Sequence, residues 1–207
     1  VPTCMLGETL AIKYVDSMHS LVKKLQITQP DGWVMDLRMN EGGSAPAMIT
    51  ALQAFFDGNT IYYSKEKNGV VNTHRVENGV YKQLIGNKLK FSFSGTTPAL
   101  ISRIQSPIAV LTSKQTASSG EILTIAFKSL PNVRTFGMPS AGVPTGNLSF
   151  TLEDGAIVYI TTSINYDIHN TEQIGPVQPD VIVNSSNSDE AFILSAIKWI
   201  NTYNRKN

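Results

Sequence analysis

Apolar residues change their period several times along this chain, and each change marks an element. From Thr9 to Leu25 they fall at Leu10, Tyr14, Val15, Met18, Leu21, Val22 and Leu25, a helical spacing that "TQPDG" then breaks. "WVMDLRM", Trp33 to Met39, predicts a strand running into a polar end. The Gly pair of "NEGGSAPAMITALQAFFDG" leads into a helix from about Ala45 to Phe56. Between Asn59 and Ser94 the mixture of Tyr, Val, Thr, Asn and Gly predicts short strands or a hairpin excursion in "TIYYSK", "VVNTHRV" and "KLKFSFSG". "PIAVLTS" is a continuous apolar run, hence a buried strand, and Glu121 to Leu130 is a helix. "VRTFG" is a strand before the Gly-rich turn "MPSAGVPTGN", and "LSFTLEDGAIVYITTS" is a hairpin around Asp154-Gly155. After "PVQPDVIV" and a Ser/Asn loop, Glu190 to Asn204 forms a closing helix. Strands alternating with helices, without internal repeats, predict an α/β fold in a single domain.

Composition narrows the function without naming it. The 207 residues suffice for a real core, and 42% apolar content is ordinary for a globular protein. Seventeen Lys and Arg against sixteen Asp and Glu are scattered, so no basic field marks a nucleic-acid partner. No apolar run approaches membrane-spanning length. Cys4 is alone and closes no intrachain disulfide. Neither metal-ligand spacing nor a phosphate loop is present, so no metal and no cofactor is expected. The chain starts at Val1 without an initiator Met, which suggests a trimmed or processed product.

Two strand-to-helix corners carry the candidate chemistry. In "DLRMNEGGSAP" a strand ends and a Gly pair turns the backbone before a helix; in "AVLTSKQTASSGE" a strand ends and small residues do the same. A helix N-terminus offers unpaired N–H groups and partial positive charge. Ser118 and Ser119 therefore fit two readings. They cap the helix, or one of them is a nucleophile whose target oxyanion is held by backbone N–H groups, including those at Gly42-Gly43. Asp36 and Arg38 are expected to pair at the strand end, Lys128 to sit on a solvated helix face and Asp180 to be a loop residue. Glu121, in the first helical turn, suits the helix dipole and needs no catalytic role.

Taken in order, "GWVMDLRMNEGG", "PIAVLTSKQTASSGEILTIAFKSLPNVRTFGMPSAG" and "LEDGAIVYITTSINYD" with "IGPVQPD" resemble the signature blocks of the tail-specific, or C-terminal-processing, serine peptidases. They look closest to the branch that includes the tricorn core protease. The resemblance runs from about Gly32 to Val183 and is weak between Asn59 and Ser106. It implies a spiral of β-β-α units related to the Clp protease and crotonase folds. It also implies a peptide or protein substrate, and a place in the cell envelope or outside the cell. The family's "TASxxE" block falls on Thr116 to Glu121 and puts the nucleophile at Ser118, with the Ser119 N–H in the oxyanion hole. The "DLRxNxGG" block falls on Asp36 to Gly43, whose Gly42 and Gly43 would supply the other donor.

A serine hydroxyl needs a base. Where the best-known branch places a lysine, this chain has Val143, which accepts no proton. The tricorn-like branch uses a histidine supported by a glutamate, and Glu172 in "TEQIGPVQPD" matches the glutamate. That branch's histidine comes from well upstream of the "DLRxNxGG" block, where this chain has only a lone helix. His19 in that helix is expected to be a surface or packing residue, and His74 a strand-surface residue. His169, in the turn "YDIHNTE", is close to Glu172 in sequence, which leaves a direct contact open. The simplest expectation is that residues 1–207 form the C-terminal catalytic portion of a longer peptidase whose missing N-terminal part brings the base. Two alternatives remain. One is a non-catalytic binding module of the same fold, as in retinoid-binding proteins. The other is a crotonase-like acyl enzyme, which would need no nucleophile at this corner.

Overall fold

The computed structural model describes residues 1–4, 7–96, 103–184 and 189–205. In chain order its elements are helix α1 (Glu8–Gln26), strand β1 (Trp33–Asp36), helices α2 (Ala45–Ala51) and α3 (Gln53–Phe56), and strands β2 (Thr60–Glu66), β3 (Val71–Glu77), β4 (Val80–Ile85), β5 (Lys88–Phe93) and β6 (Ile108–Thr112). Then follow helix α4 (Ser119–Lys128), strands β7 (Val133–Gly137), β8 (Thr145–Thr151), β9 (Ile157–Tyr166), β10 (Glu172–Gln173) and β11 (Val181–Ile182), and helix α5 (Asp189–Asn204). The Ser/Asn stretch at 185–188, expected as a loop, lies outside the described residues.

All five residues of β6 are buried, and the two faces of the strand explain why. Ile108 and Val110 enter the main core with Met35, Met48, Phe55 and Phe127, while Ala109 and Leu111 pack with Phe136, Phe192, Ala196 and Ile200 beneath α5. A parallel strand covered on both sides reads as an unbroken apolar run. The sheet order is β1-β6-β7-β11, with Trp33 opposite Ile108 and Thr112 opposite Gly137. A second, antiparallel sheet runs β10-β9-β2-β3-β4-β5, and β8 pairs with β9 as the hairpin expected around Asp154-Gly155. The α/β expectation therefore holds, with strands of two kinds.

Several boundaries differ from the sequence reading. The helix expected over Ala45–Phe56 breaks at Leu52, whose φ of −112° and ψ of 22° are not helical. "VYKQLI" forms β4, which the sequence reading had not separated from its neighbours. On α1 the buried stripe is Ala11, Val15, His19 and Val22, whereas Leu10, Leu21 and Leu25 are exposed. His19 is thus a packing residue. Its Nε2 lies 2.7 Å from the Thr50 carbonyl oxygen and ties α1 to α2.

Candidate active site

β1 and β6 run side by side, so the corners that follow them emerge at the same sheet edge. Side-chain and backbone hydrogen bonds then stitch the two corners together. The Thr116 hydroxyl donates to the Leu37 carbonyl at 2.8 Å, and the Ser113 hydroxyl to the Arg38 carbonyl at 2.5 Å. The Ala117 N–H donates to the Asn40 carbonyl at 3.0 Å, and the Ser119 hydroxyl to the Gly43 carbonyl at 2.6 Å. Asn40 is fully buried; its Oδ1 accepts the Gly42 N–H at 3.0 Å and its Nδ2 donates to the carbonyls of Val1 and Pro2. A Cβ on Gly120 would come within 2.7 Å of the Asn40 carbonyl oxygen, so the glycine after the serine pair is set by this close approach.

Ser118 sits at the N-cap of α4 with φ 52° and ψ −118°. The Gly120 N–H donates to the Ala117 carbonyl at 2.8 Å, which makes residues 117–120 a tight turn. Those dihedrals are those of the first central residue of a type II′ turn, a position dominated by glycine. Holding serine there costs about 1–3 kcal/mol, and such strain persists only where the surroundings over-determine it. Ser118 is half-buried, while Ser119 is buried at the first turn of the helix. Gly42 and Gly43 both have positive φ, 110° and 114°, and Gly42 packs directly against Ser118 and the Ser119 nitrogen. With the Gly42 N–H taken by Asn40, the Gly43 and Ser119 N–H groups are the ones left without an acceptor among the described residues.

Two further motif segments close on this pair. The Ala141 N–H donates to the Thr116 carbonyl at 2.9 Å, and Ser140 exchanges hydrogen bonds with Val177 through its N–H and its hydroxyl oxygen. Gly142 lies against Pro176. The carboxylate of Glu121, wholly buried, reaches both Ser118 and the 140–143 segment. Sequence reasoning had assigned Glu121 only to the helix dipole. The "TASxxE" spacing was visible, but its long-range partners were not.

Other candidates lie apart from this cluster. Val143, where the resemblance leads one to expect a lysine, offers only its N–H, which Glu121 accepts. Glu172 is exposed on β10, opposite Tyr166. The Tyr166 phenol is raised first by burial and then by the neighbouring Glu172 carboxylate, which also accepts its hydrogen bond. No hydrogen bond or ion pair joins Glu172 to Ser118 or to a histidine among the described residues. His169 is exposed, and its N–H donates to Asp167 Oδ1; the contact with Glu172 left open by sequence is not made.

His74 corrects its expected place on a strand surface. It is 5% exposed and stacks on Tyr62 at 4.0 Å, with Nε2 2.8 Å from the Ser64 hydroxyl and Nδ1 2.6 Å from the Tyr81 hydroxyl. Burial, aided by the Lys90 charge, lowers its pKa to about 3. Lys128 is exposed on α4 and Asp180 lies in a loop, as expected, but the two are joined. Lys128 Nζ lies 2.5 Å from Asp180, whose other oxygen accepts the Thr135 N–H and hydroxyl. Asp180 is the exposed loop residue expected, and from that loop it anchors β7. Asp36 and Arg38 do pair, at 2.7 Å. Burial alone would raise the Asp36 pKa, but the bonds from Arg38 outweigh it and lower it.

Comparisons with known proteins point to one family. The sequence model of peptidase family S41 matches residues 8–183. The Nisin-resistance protein of Lactococcus lactis subsp. lactis is 28% identical over 201 residues, 97% of this chain and 58% of that protein. A carboxyl-terminal-processing protease of Synechocystis sp. is 27% identical over 183 residues, 86% of this chain and 36% of that protein. Among solved structures, a lipoprotein from Streptococcus agalactiae superposes with a TM-score of 0.76 at 26% identity, covering 98% of this chain and 65% of that one. The chain thus spans less than two thirds of the length of each of these relatives.

Proposed function

Because the chain belongs to peptidase family S41, we propose that it is a serine-peptidase domain that cleaves peptide bonds with Ser118 as nucleophile. The observation that carries this reading is the contact between the two corners: a Cβ on Gly42 would lie 2.9 Å from the Ser118 Cβ and 3.0 Å from the Ser119 nitrogen. A strained serine, a helix N-terminus and a glycine pair share one spot. The Ser118 hydroxyl attacks the scissile carbonyl as a base removes its proton. The N–H groups of Ser119 and Gly43 hold the resulting oxyanion, with Gly43 favoured over Gly42 because Asn40 occupies the Gly42 N–H. Collapse transfers the proton to the leaving amine and leaves an acyl-serine that water hydrolyses.

The base is supplied from outside residues 1–207, as a histidine oriented by Glu172 in the manner of the tricorn-like branch. Three facts support this. Val143 cannot accept a proton, His19 and His74 are buried on other partners, and Glu172 is exposed. The same facts favour a second reading, a peptide-binding module that has lost catalysis.

The substrate is a peptide or protein presented as an extended tail. The similarity that spans 97% of the chain makes nisin the first peptide to test beside unstructured C-terminal tails. The experiment compares this chain and its full-length parent, each with Ser118→Ala, for peptide cleavage and for labelling by a fluorophosphonate. Cleavage and labelling lost in Ser118→Ala establish the peptidase. Saturable peptide binding with neither cleavage nor labelling establishes the binding module instead.

A further inference from the structure

Four hydrogen-bond donors converge on the buried carboxylate of Glu121. Oε2 accepts the N–H of Ser118 at 2.7 Å and of Val143 at 3.0 Å. Oε1 accepts the N–H of Gly142 at 2.8 Å and the hydroxyl of Ser140 at 2.5 Å. None of the ion pairs among the described residues involves it. A buried carboxylate without a countercharge is costly unless its lone pairs are filled, and here the donors and the α4 N-terminus fill that need. An ordinary capping box uses this carboxylate on the N-cap N–H alone. In this chain three of the four donors come from a segment 19 to 22 residues further along.

From this arrangement we infer that Glu121 is the positioning residue of the site. It clasps the strained Ser118 backbone to the 140–143 segment, so that nucleophile, Ser119 N–H and site wall hold one geometry. The Ser118 N–H bond to Glu121 is one of the constraints that over-determine φ 52°, together with the Ala117 bond to Asn40 and the Gly120 bond to Ala117. Without the clasp, the turn relaxes towards dihedrals that serine prefers, and the hydroxyl leaves its line of attack. The 140–143 segment loses its three bonds to the carboxylate at the same moment and, among the described residues, keeps only the Ala141 N–H on Thr116 and the Ser140 bonds to Val177. This role rests on Ser118 being the nucleophile.

The test is Glu121→Gln in the full-length protein, beside Ser118→Ala and the wild type. A glutamine keeps the shape, but its amide nitrogen must face at least one backbone N–H whichever way it turns, those of Ser118 and Val143 on one side or that of Gly142 on the other. The expected result is a folded protein whose kcat and fluorophosphonate labelling rate fall on the order of 10²-fold, the scale on which small misplacements of a catalytic group act, while KM stays within about threefold. A folded Glu121→Gln that labels and turns over as fast as wild type overturns the role. If Glu121→Gln does not fold, Ser140→Ala decides by the same readout. It leaves the carboxylate its three backbone donors, and slower labelling at an unchanged KM supports the clasp while wild-type rates overturn it. A wild type that does not label at Ser118 overturns the nucleophile reading and this role with it. That outcome is distinct from the former, in which the wild type reacts.

Discussion

Gly42 and Ser118 approach so closely that no side chain fits between them: a Cβ on Gly42 would meet the Ser118 Cβ at 2.9 Å and the Ala117 carbonyl oxygen at 3.0 Å. Gly42 also has φ 110°, outside the range L side chains adopt. Gly42→Ala is expected to combine strain with a backbone clash and to cost about 3–5 kcal/mol. Gly58→Ala is the control. It has φ 81° but open space around it, and should lose only about 1–2 kcal/mol. Urea unfolding of the two variants measures the difference; equal losses would show that the corners do not press on each other.

Ser119 contributes its side chain as well as its N–H. Its hydroxyl donates to the Gly43 carbonyl at 2.6 Å, pinning one corner to the other. Ser119→Ala leaves a carbonyl without its donor and should cost about 1–3 kcal/mol. Because the backbone N–H survives, Ser118 should still label with fluorophosphonate, more slowly than in wild type. Complete loss of labelling, as in Ser118→Ala, would mean that the Ser119 hydroxyl takes part in the chemistry.

His74 should give the protein a pH-dependent stability. Its folded pKa of about 3 lies below the ordinary histidine value, so between about pH 6.5 and 3 the unfolded chain binds a proton that the folded chain refuses. Stability is therefore unaffected above about pH 6.5 and declines as pH falls below it, by roughly 1.4 kcal/mol per pH unit at most. Urea midpoints at pH 7, 6 and 5 should show that decline in wild type. In His74→Gln the slope should flatten over this window, from a lower starting stability, because the bonds to Ser64 and Tyr81 are disturbed. Asp36 and Asp180, whose pKa values are lowered, stabilise the fold at every pH above the ordinary carboxylate range, and that stability is lost only as pH falls through and below that range. An unchanged slope in His74→Gln would show that His74 is protonated in the fold.

Residues 1–207 alone should hydrolyse peptides poorly. An unactivated serine is a weak nucleophile at neutral pH, and loss of one triad member typically costs on the order of 10⁴-fold. Peptide hydrolysis by this chain, with and without Ser118→Ala, checks the point. Robust turnover by the chain alone, abolished by Ser118→Ala, would place a base within these residues, with His169 the first to test.

The local rules of the chain were legible because they depend on neighbours in sequence. The run of Ile108 to Thr112 had to be buried on both faces, Asp154-Gly155 had to turn, and Ser118 had to stand where α4 begins. The ordered blocks around Asp36 to Gly43 and Thr116 to Glu121 pointed to the peptidase family before any coordinate did. The tertiary structure decided everything that depends on partners distant in the chain. His74 looked like a strand-surface residue, because alternation along β3 cannot say which sheet face the helices cover. Asp180 is a loop residue as expected, but its anchoring of β7 was hidden, because its donor Thr135 lies 45 residues away. Glu121 looked like a helix-dipole carboxylate, since a first-turn position explains one of its bonds and says nothing of the Ser140, Gly142 and Val143 donors. Periodicity records which side of an element is apolar, but the energy of a buried polar group depends on which distant donors reach it, and only the folded chain brings those donors within 3 Å.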